Sequence, residues 1–100
     1  MRFVNCTPHT INLNDGREFP VSDHIARVSS SYTEFVDDMC TVVYGEVVDL
    51  PEPQEDTMYI VSAFVLNACP ERKDLVIPAT GHPDCIRNEG RIVSVPGFIR

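Results

Sequence analysis

The chain has 100 residues, 43% of them apolar, and a formal net charge of −7, which describes one small domain with a core and no room for a second. That charge excludes general binding to nucleic-acid duplexes or anionic membranes, and no apolar run approaches the ~20 residues that span a bilayer. Met1 to Asn5 lacks the long apolar core of a signal peptide, so the expectation is a cytoplasmic protein whose four cysteines, Cys6, Cys40, Cys69 and Cys85, are thiols rather than disulfides.

Turn signals recur about every ten residues, and short runs rich in Val, Ile, Thr and aromatics lie between them, which predicts strands joined by tight turns. Arg2 to Cys6 and Thr10 to Asn14 flank Thr7-Pro8-His9, and Asp15-Gly16 then marks a hairpin turn, where glycine accepts a positive φ. Ile25 to Ser29 and Met39 to Tyr44 read as strands, with Cys40, Val42 and Tyr44 on one face. Val47 to Leu50 follows as another, and Pro51 to Asp56 is an exposed loop by composition. Tyr59-Ile60-Val61 has no polar alternation, the mark of a central strand. Ser62 then caps a short helix over Ala63 to Cys69, stopped by Pro70. One long strand is the alternative that periodicity leaves open. Leu75-Val76-Ile77 is a strand ended by Pro78, and Cys85 to Val95 is a hairpin turning at Asn88-Glu89-Gly90. The fold class expected is mainly β: a single domain over 1–100, built as an antiparallel sheet or a partly open barrel or sandwich with one short helix.

The charge is segregated. Glu34, Asp37, Asp38, Glu46, Asp49, Glu52, Glu55 and Asp56 fall in residues 34–57, which hold no Lys or Arg, while all eight bases lie outside that block. Such a block is a solvated face or an acidic patch for a basic partner. The outer segments could still build a cationic pocket.

No motif identifies a chemistry. His82 and Cys85 are a close pair, but Cys6, His9 and Cys69 would have to complete a zinc site from a distance, and structural zinc takes two close pairs. No glycine-rich phosphate loop is present. No local pattern pairs a Cys with a His as nucleophile and base. No catalytic residue, metal or cofactor is therefore assigned. What remains is Arg27, Arg72, Arg87 and Arg91, with Thr7, His9 and Ser62 as polar residues beside apolar runs. An arginine in a strand needs an acceptor: a carboxylate of the protein, such as Asp74 for Arg72, or an anion from outside.

Several segments together resemble a family of short proteins carried by phages, prophages and their bacterial hosts. They are Asn5-Cys6-Thr7-Pro8-His9-Thr10-Ile11-Asn12-Leu13, Ala26-Arg27-Val28, Gly45-Glu46-Val47, Leu50-Pro51-Glu52-Pro53, Thr57 to Ser62, Pro70 to Leu75, Pro78 and Arg87 to Ile92. The chain departs from the pattern at Cys6, at Val21-Ser22-Asp23 and around Ala79-Thr80-Gly81. The resemblance implies a phage-associated accessory protein in the cytoplasm of a bacterial host. By analogy, the roles it suggests are counter-defence factors, among them sponges for nucleotide immune signals, virion additions, and binders of host proteins. The expectation drawn from residues and resemblance together is an oligomeric small-molecule binder. Arg27, Arg72 and Arg87 would neutralise an anionic, nucleotide-type ligand, and Thr7, His9 and Ser62 would hydrogen-bond its sugar or base. The alternative is an acidic interaction or virion accessory module that meets a basic host or phage protein surface.

Overall fold

A computed structural model describes all 100 residues. Ten strands and one helix follow in the order β1 (Arg2–Asn5), β2 (Ile11–Asn12), β3 (Glu18–Phe19), β4 (Arg27–Tyr32), β5 (Val42–Val48), β6 (Thr57–Ile60), α1 (Ala63–Ala68), β7 (Leu75–Pro78), β8 (Ile86–Asn88), β9 (Arg91–Ser94) and β10 (Phe98–Ile99). The chain is thus mainly β with one short helix in a single small domain, as the sequence leads one to expect, and its sheets are open rather than closed into a barrel. No helix is long and apolar enough to cross a membrane.

Strand direction is where the structure departs from the antiparallel expectation. The central sheet has the order β1-β6-β7-β10. β1 and β6 are parallel, with Arg2 opposite Thr57 and Asn5 opposite Ile60, and β6 and β7 are parallel through Tyr59–Leu75 and Ile60–Val76. Only β10 runs against its neighbour. The reason is α1. Ser62 Oγ accepts a 3.3 Å hydrogen bond from the Val65 amide as the N-cap, so the chain leaves β6 as a helix, and this crossover returns it parallel rather than as a hairpin. Antiparallel pairing holds for the outlying pairs β2–β3, β4–β5 and β8–β9.

The sheet is buried on both faces, which is why Thr57 to Val61 carries no alternation. On one face Tyr59, Val61 and Leu75 pack with Cys6, Ala26, Val65 and Cys69 beneath α1 and the β4–β5 ribbon. On the other, Met58, Ile60 and Val76 pack with Ile11, Leu13 and Val95. Phe3, Phe19 and Phe98 close that side, with Phe3 and Phe98 stacked at 5.0 Å between ring centres and Phe19 edge-on to both. Each fully buried Leu, Ile or Val contributes about 1.5–3 kcal/mol from removal of apolar surface.

The expected strands at Met39 to Tyr44 and Val47 to Leu50 are one strand, β5, kinked by a bulge. Gly45 and Glu46 face the single residue Ser29 across the ribbon. A Cβ on Gly45 would run into Ser29 Oγ unless that exposed hydroxyl turned aside, so glycine lets the bulge close with the serine in place. Beyond Tyr32 the ribbon ends in a tight turn that no Gly or Asn announces. Val36 and Met39 exchange two backbone hydrogen bonds of 2.8 and 3.0 Å, and Asp37 and Asp38 between them have φ of 52° and 64°, the signs of a type I′ hairpin turn. The radius of gyration is 15.1 Å against about 13 Å for a compact 100-residue domain, and the dimensions of 46 × 36 × 20 Å describe a flattened body.

Candidate functional site

β1, β6 and β7 run in the same direction, so their carboxyl ends lie together. The chain continues from them into Thr7-Pro8-His9-Thr10, Val61-Ser62 and Thr80, and these residues, with Pro78 and with Ile92 to Val95 of the last hairpin, line a cleft of about 440 Å³. Crevices outside the carboxyl ends of parallel strands are where open sheets bind ligands. The volume falls in the range of small-molecule sites.

Asn5 organises one wall. It is 2% exposed, and its Nδ2 donates to the carbonyls of His9 (2.7 Å) and Phe19 (2.8 Å). Its Oδ1 accepts from the Thr7 amide (2.9 Å) and the Thr7 hydroxyl (2.6 Å). An amide side chain two residues before the turn thus sets the turn's shape, as Asx-turns do. The Asn5 carbonyl in turn accepts from the hydroxyl of Ser22 at 2.7 Å. The His9 carbonyl takes the protein's hydrogen bonds, so the exposed imidazole is left to solvent or a ligand. The opposite wall is held by Ser94, whose hydroxyl donates to Asn14 Oδ1 at 2.6 Å.

Three of the six residues given a ligand role from the sequence, Thr7, His9 and Ser62, meet in this cleft. The three arginines do not join them, and no cavity is lined by more than one of the three. Arg72 makes a bidentate ion pair with Asp74, both bonds 2.8 Å, donates to the Pro51 carbonyl at 3.0 Å and lies over the Tyr59 ring. Those bonds hold the Asp74 carboxyl below, and the Arg72 guanidinium above, their usual ranges, so Arg72 is occupied by the protein itself. Arg27 stands exposed at the start of the ribbon, opposite Val48. Arg87 sits at the cleft's margin: its Nη2 donates 2.8 Å to the carbonyl of the lining residue Thr80, and it has no carboxylate partner.

The lining contains no Asp, Glu, Lys or Arg; it offers the hydroxyls of Thr10, Ser62 and Thr80, the His9 imidazole and apolar surface from Pro8, Ile92 and Val93, while the Thr7 and Ser94 hydroxyls are already donated to Asn5 and Asn14. Thr10, Thr80 and Ser94 were not evident beforehand. Their only signal is a hydroxyl residue beside the end of an apolar run, which many surface positions share. Among the thiols, burial raises the pKa of Cys6 and Cys69, and no cysteine lines the cleft. No group of three or more His, Cys, Asp or Glu side chains is placed to hold a metal ion, and His82 and Cys85 belong to a local turn in which the Cys85 amide donates to the His82 carbonyl.

Comparison with protein-family models, curated proteins and solved structures finds no match for the chain.

Proposed function

We propose that the protein binds a small polar ligand of about nucleoside size in the cleft at the carboxyl ends of β1, β6 and β7. The observation that carries this reading is the convergence of Thr7, His9 and Ser62 from separate segments on one uncharged, hydroxyl-rich crevice. A sugar or base edge would meet these groups, with its apolar face on Pro8, Ile92 and Val93. A single phosphate or carboxylate would reach Arg87 at the margin, because the guanidinium already anchored to Thr80 keeps donors free. The ligand therefore carries little charge inside the cleft, a narrower expectation than three arginines on several phosphates. Together with the resemblance to phage and prophage proteins, the reading supports a sponge for a nucleotide-type immune signal, a task that needs affinity and no bond-making.

Thermal shift against adenosine, AMP, ADP-ribose and cyclic dinucleotides tests it. Binding at a hundredfold excess over Kd stabilises by about 2.7 kcal/mol, a readily measured rise in Tm. His9→Ala is expected to weaken every ligand that binds, and Arg87→Ala only those with a phosphate. No shift with any of them at millimolar concentration would reject the proposal.

A second reading, an interaction module, is favoured by one observation: the acidic residues 34–57 include a projecting, exposed apolar turn. Capture of a basic partner at low salt and its release at high salt would support it, and no retention at either would reject it.

A further inference from the structure

Outside the cleft, the most unusual surface is the tip of the β4–β5 ribbon. Tyr32, Phe35, Val36 and Met39 are 68–73% exposed, and residues 31–39 contain no buried or half-buried position. Single exposed apolar residues are ordinary, but a cluster of four on one hairpin end is a contact surface. The tip is not a loose loop. The paired backbone bonds of Val36 and Met39, and the Thr33 amide and hydroxyl bonds to Thr41 (2.9 and 2.8 Å), fix its shape. Two aspartates at positive φ carry the reversal, a conformation that costs non-glycine residues free energy. Glu34, Asp37 and Asp38 surround the apolar groups with negative charge and no base.

The complement of this surface is on the same molecule. At the carboxyl end of α1, a groove of about 530 Å³ is lined by Leu66, Pro70 and Leu75 and by three bases, Arg72, Lys73 and Arg100, with no acid in its lining. Arg72 is neutralised by Asp74, but Lys73 and Arg100 have no carboxylate partner. An apolar floor under unpaired cations is what an apolar tip ringed by carboxylates fits.

We propose that the occupant of this groove is the β4–β5 tip of a second copy of the chain, the two copies exchanging tips reciprocally about a two-fold axis. Reciprocal exchange uses each surface once and closes with two chains. The net charge of −7 opposes association only at long range. At physiological salt the screening length is about 8 Å, so the opposite charges of tip and groove act inside it while the whole-molecule repulsion is damped. The proposal is independent of ligand binding in the cleft.

Light scattering coupled to size exclusion, at about 100 µM chain and physiological salt, reads the outcome. The wild type is expected at the mass of two chains. Phe35→Ser, Lys73→Glu and the paired change Glu34→Lys with Asp37→Lys are each expected at the mass of one, with the circular dichroism of the wild type. Mixing a Lys73→Glu, Arg100→Glu chain with the Glu34→Lys, Asp37→Lys chain restores the two-chain mass, since each acidic tip then meets a basic groove and each basic tip an acidic one. A wild type at the mass of one chain overturns the proposal. So does a two-chain mass that survives Phe35→Ser and Lys73→Glu, or a mixture that stays monomeric. None of these results bears on capture of a foreign basic protein, which the salt-dependent pull-down reads separately.

Discussion

Replacing Asn5 by alanine tests the structural reasoning behind the cleft most directly. The change removes four side-chain hydrogen bonds of 2.6–2.9 Å at a position 2% exposed. A typical intramolecular hydrogen bond contributes about 1 kcal/mol net. The His9 carbonyl and the Thr7 hydroxyl lie near the surface and regain water, whereas the Phe19 carbonyl and Thr7 amide are half-buried. The expected loss is therefore about 2–4 kcal/mol rather than the full desolvation penalty of every partner. In a domain of this size each kcal/mol moves Tm by about 4–8 °C, so a fall of about 10–25 °C is expected in a thermal melt followed by circular dichroism. Asn5→Asp is nearly isosteric but puts an acceptor where the two donors were, facing the His9 and Phe19 carbonyls, and is expected to be at least as damaging. If Asn5→Ala lowered Tm by only a degree or two, or if Asn5→Asp were neutral, the turn would owe its shape to something other than this side chain.

Three further outcomes follow from other parts of the molecule. The Arg72–Asp74 pair, with side chains 18% and 17% exposed, holds the Asp74 carboxyl below its usual range; its stabilisation is complete above the unfolded carboxylate's pKa of about 3.9 and is lost as pH falls through the lower folded value. Urea melts should show that loss below about pH 4, and Asp74→Asn should remove it while costing about 1–3 kcal/mol at neutral pH. Gly45→Ala is expected to cost about 0.5–1.5 kcal/mol by displacing the Ser29 hydroxyl, and most of that should return in the Ser29→Ala background; equal costs in both backgrounds would contradict the close approach. In the native protein an alkylating reagent should modify the half-buried Cys40 and Cys85 well before Cys6 and Cys69, whose thiols are buried and raised in pKa; peptide mass mapping reads the order, and equal rates at all four would refute it.

Much of the fold was legible because its local signals agree. Asp15-Gly16 and Glu89-Gly90 do mark hairpin turns, with Gly16 at φ 97° and Gly90 at φ 80°, and Ser62 does cap a helix where the apolar run breaks. The pairing direction was not legible, since β1 meets β6 across more than fifty residues and neither strand's pattern states its partner's sense. The two-residue strands β3 and β10 are too short to show a period. At the site, Thr7, His9 and Ser62 were visible as polar residues at the ends of apolar runs. Their convergence is a product of the parallel order and was invisible with it. The arginines were ambiguous for another reason: whether a guanidinium faces a carboxylate of its own chain is a matter of three-dimensional distance, and for Arg72 the Asp74 two residues along the chain had already claimed it.

The long reach between β1 and β6 also orders events in time. A chain emerging from the ribosome at about 5–20 residues per second has β1 and β2 out long before Thr57 appears. Even after β6 and β7 have joined the sheet, the face formed by Ile11, Leu13, Met58 and Ile60 stays incomplete until Val95 and Phe98 arrive. The earliest-made strands are thus among the last to be protected, and the seconds in between are when a nascent chain of this fold is most open to aggregation or to a chaperone's grip.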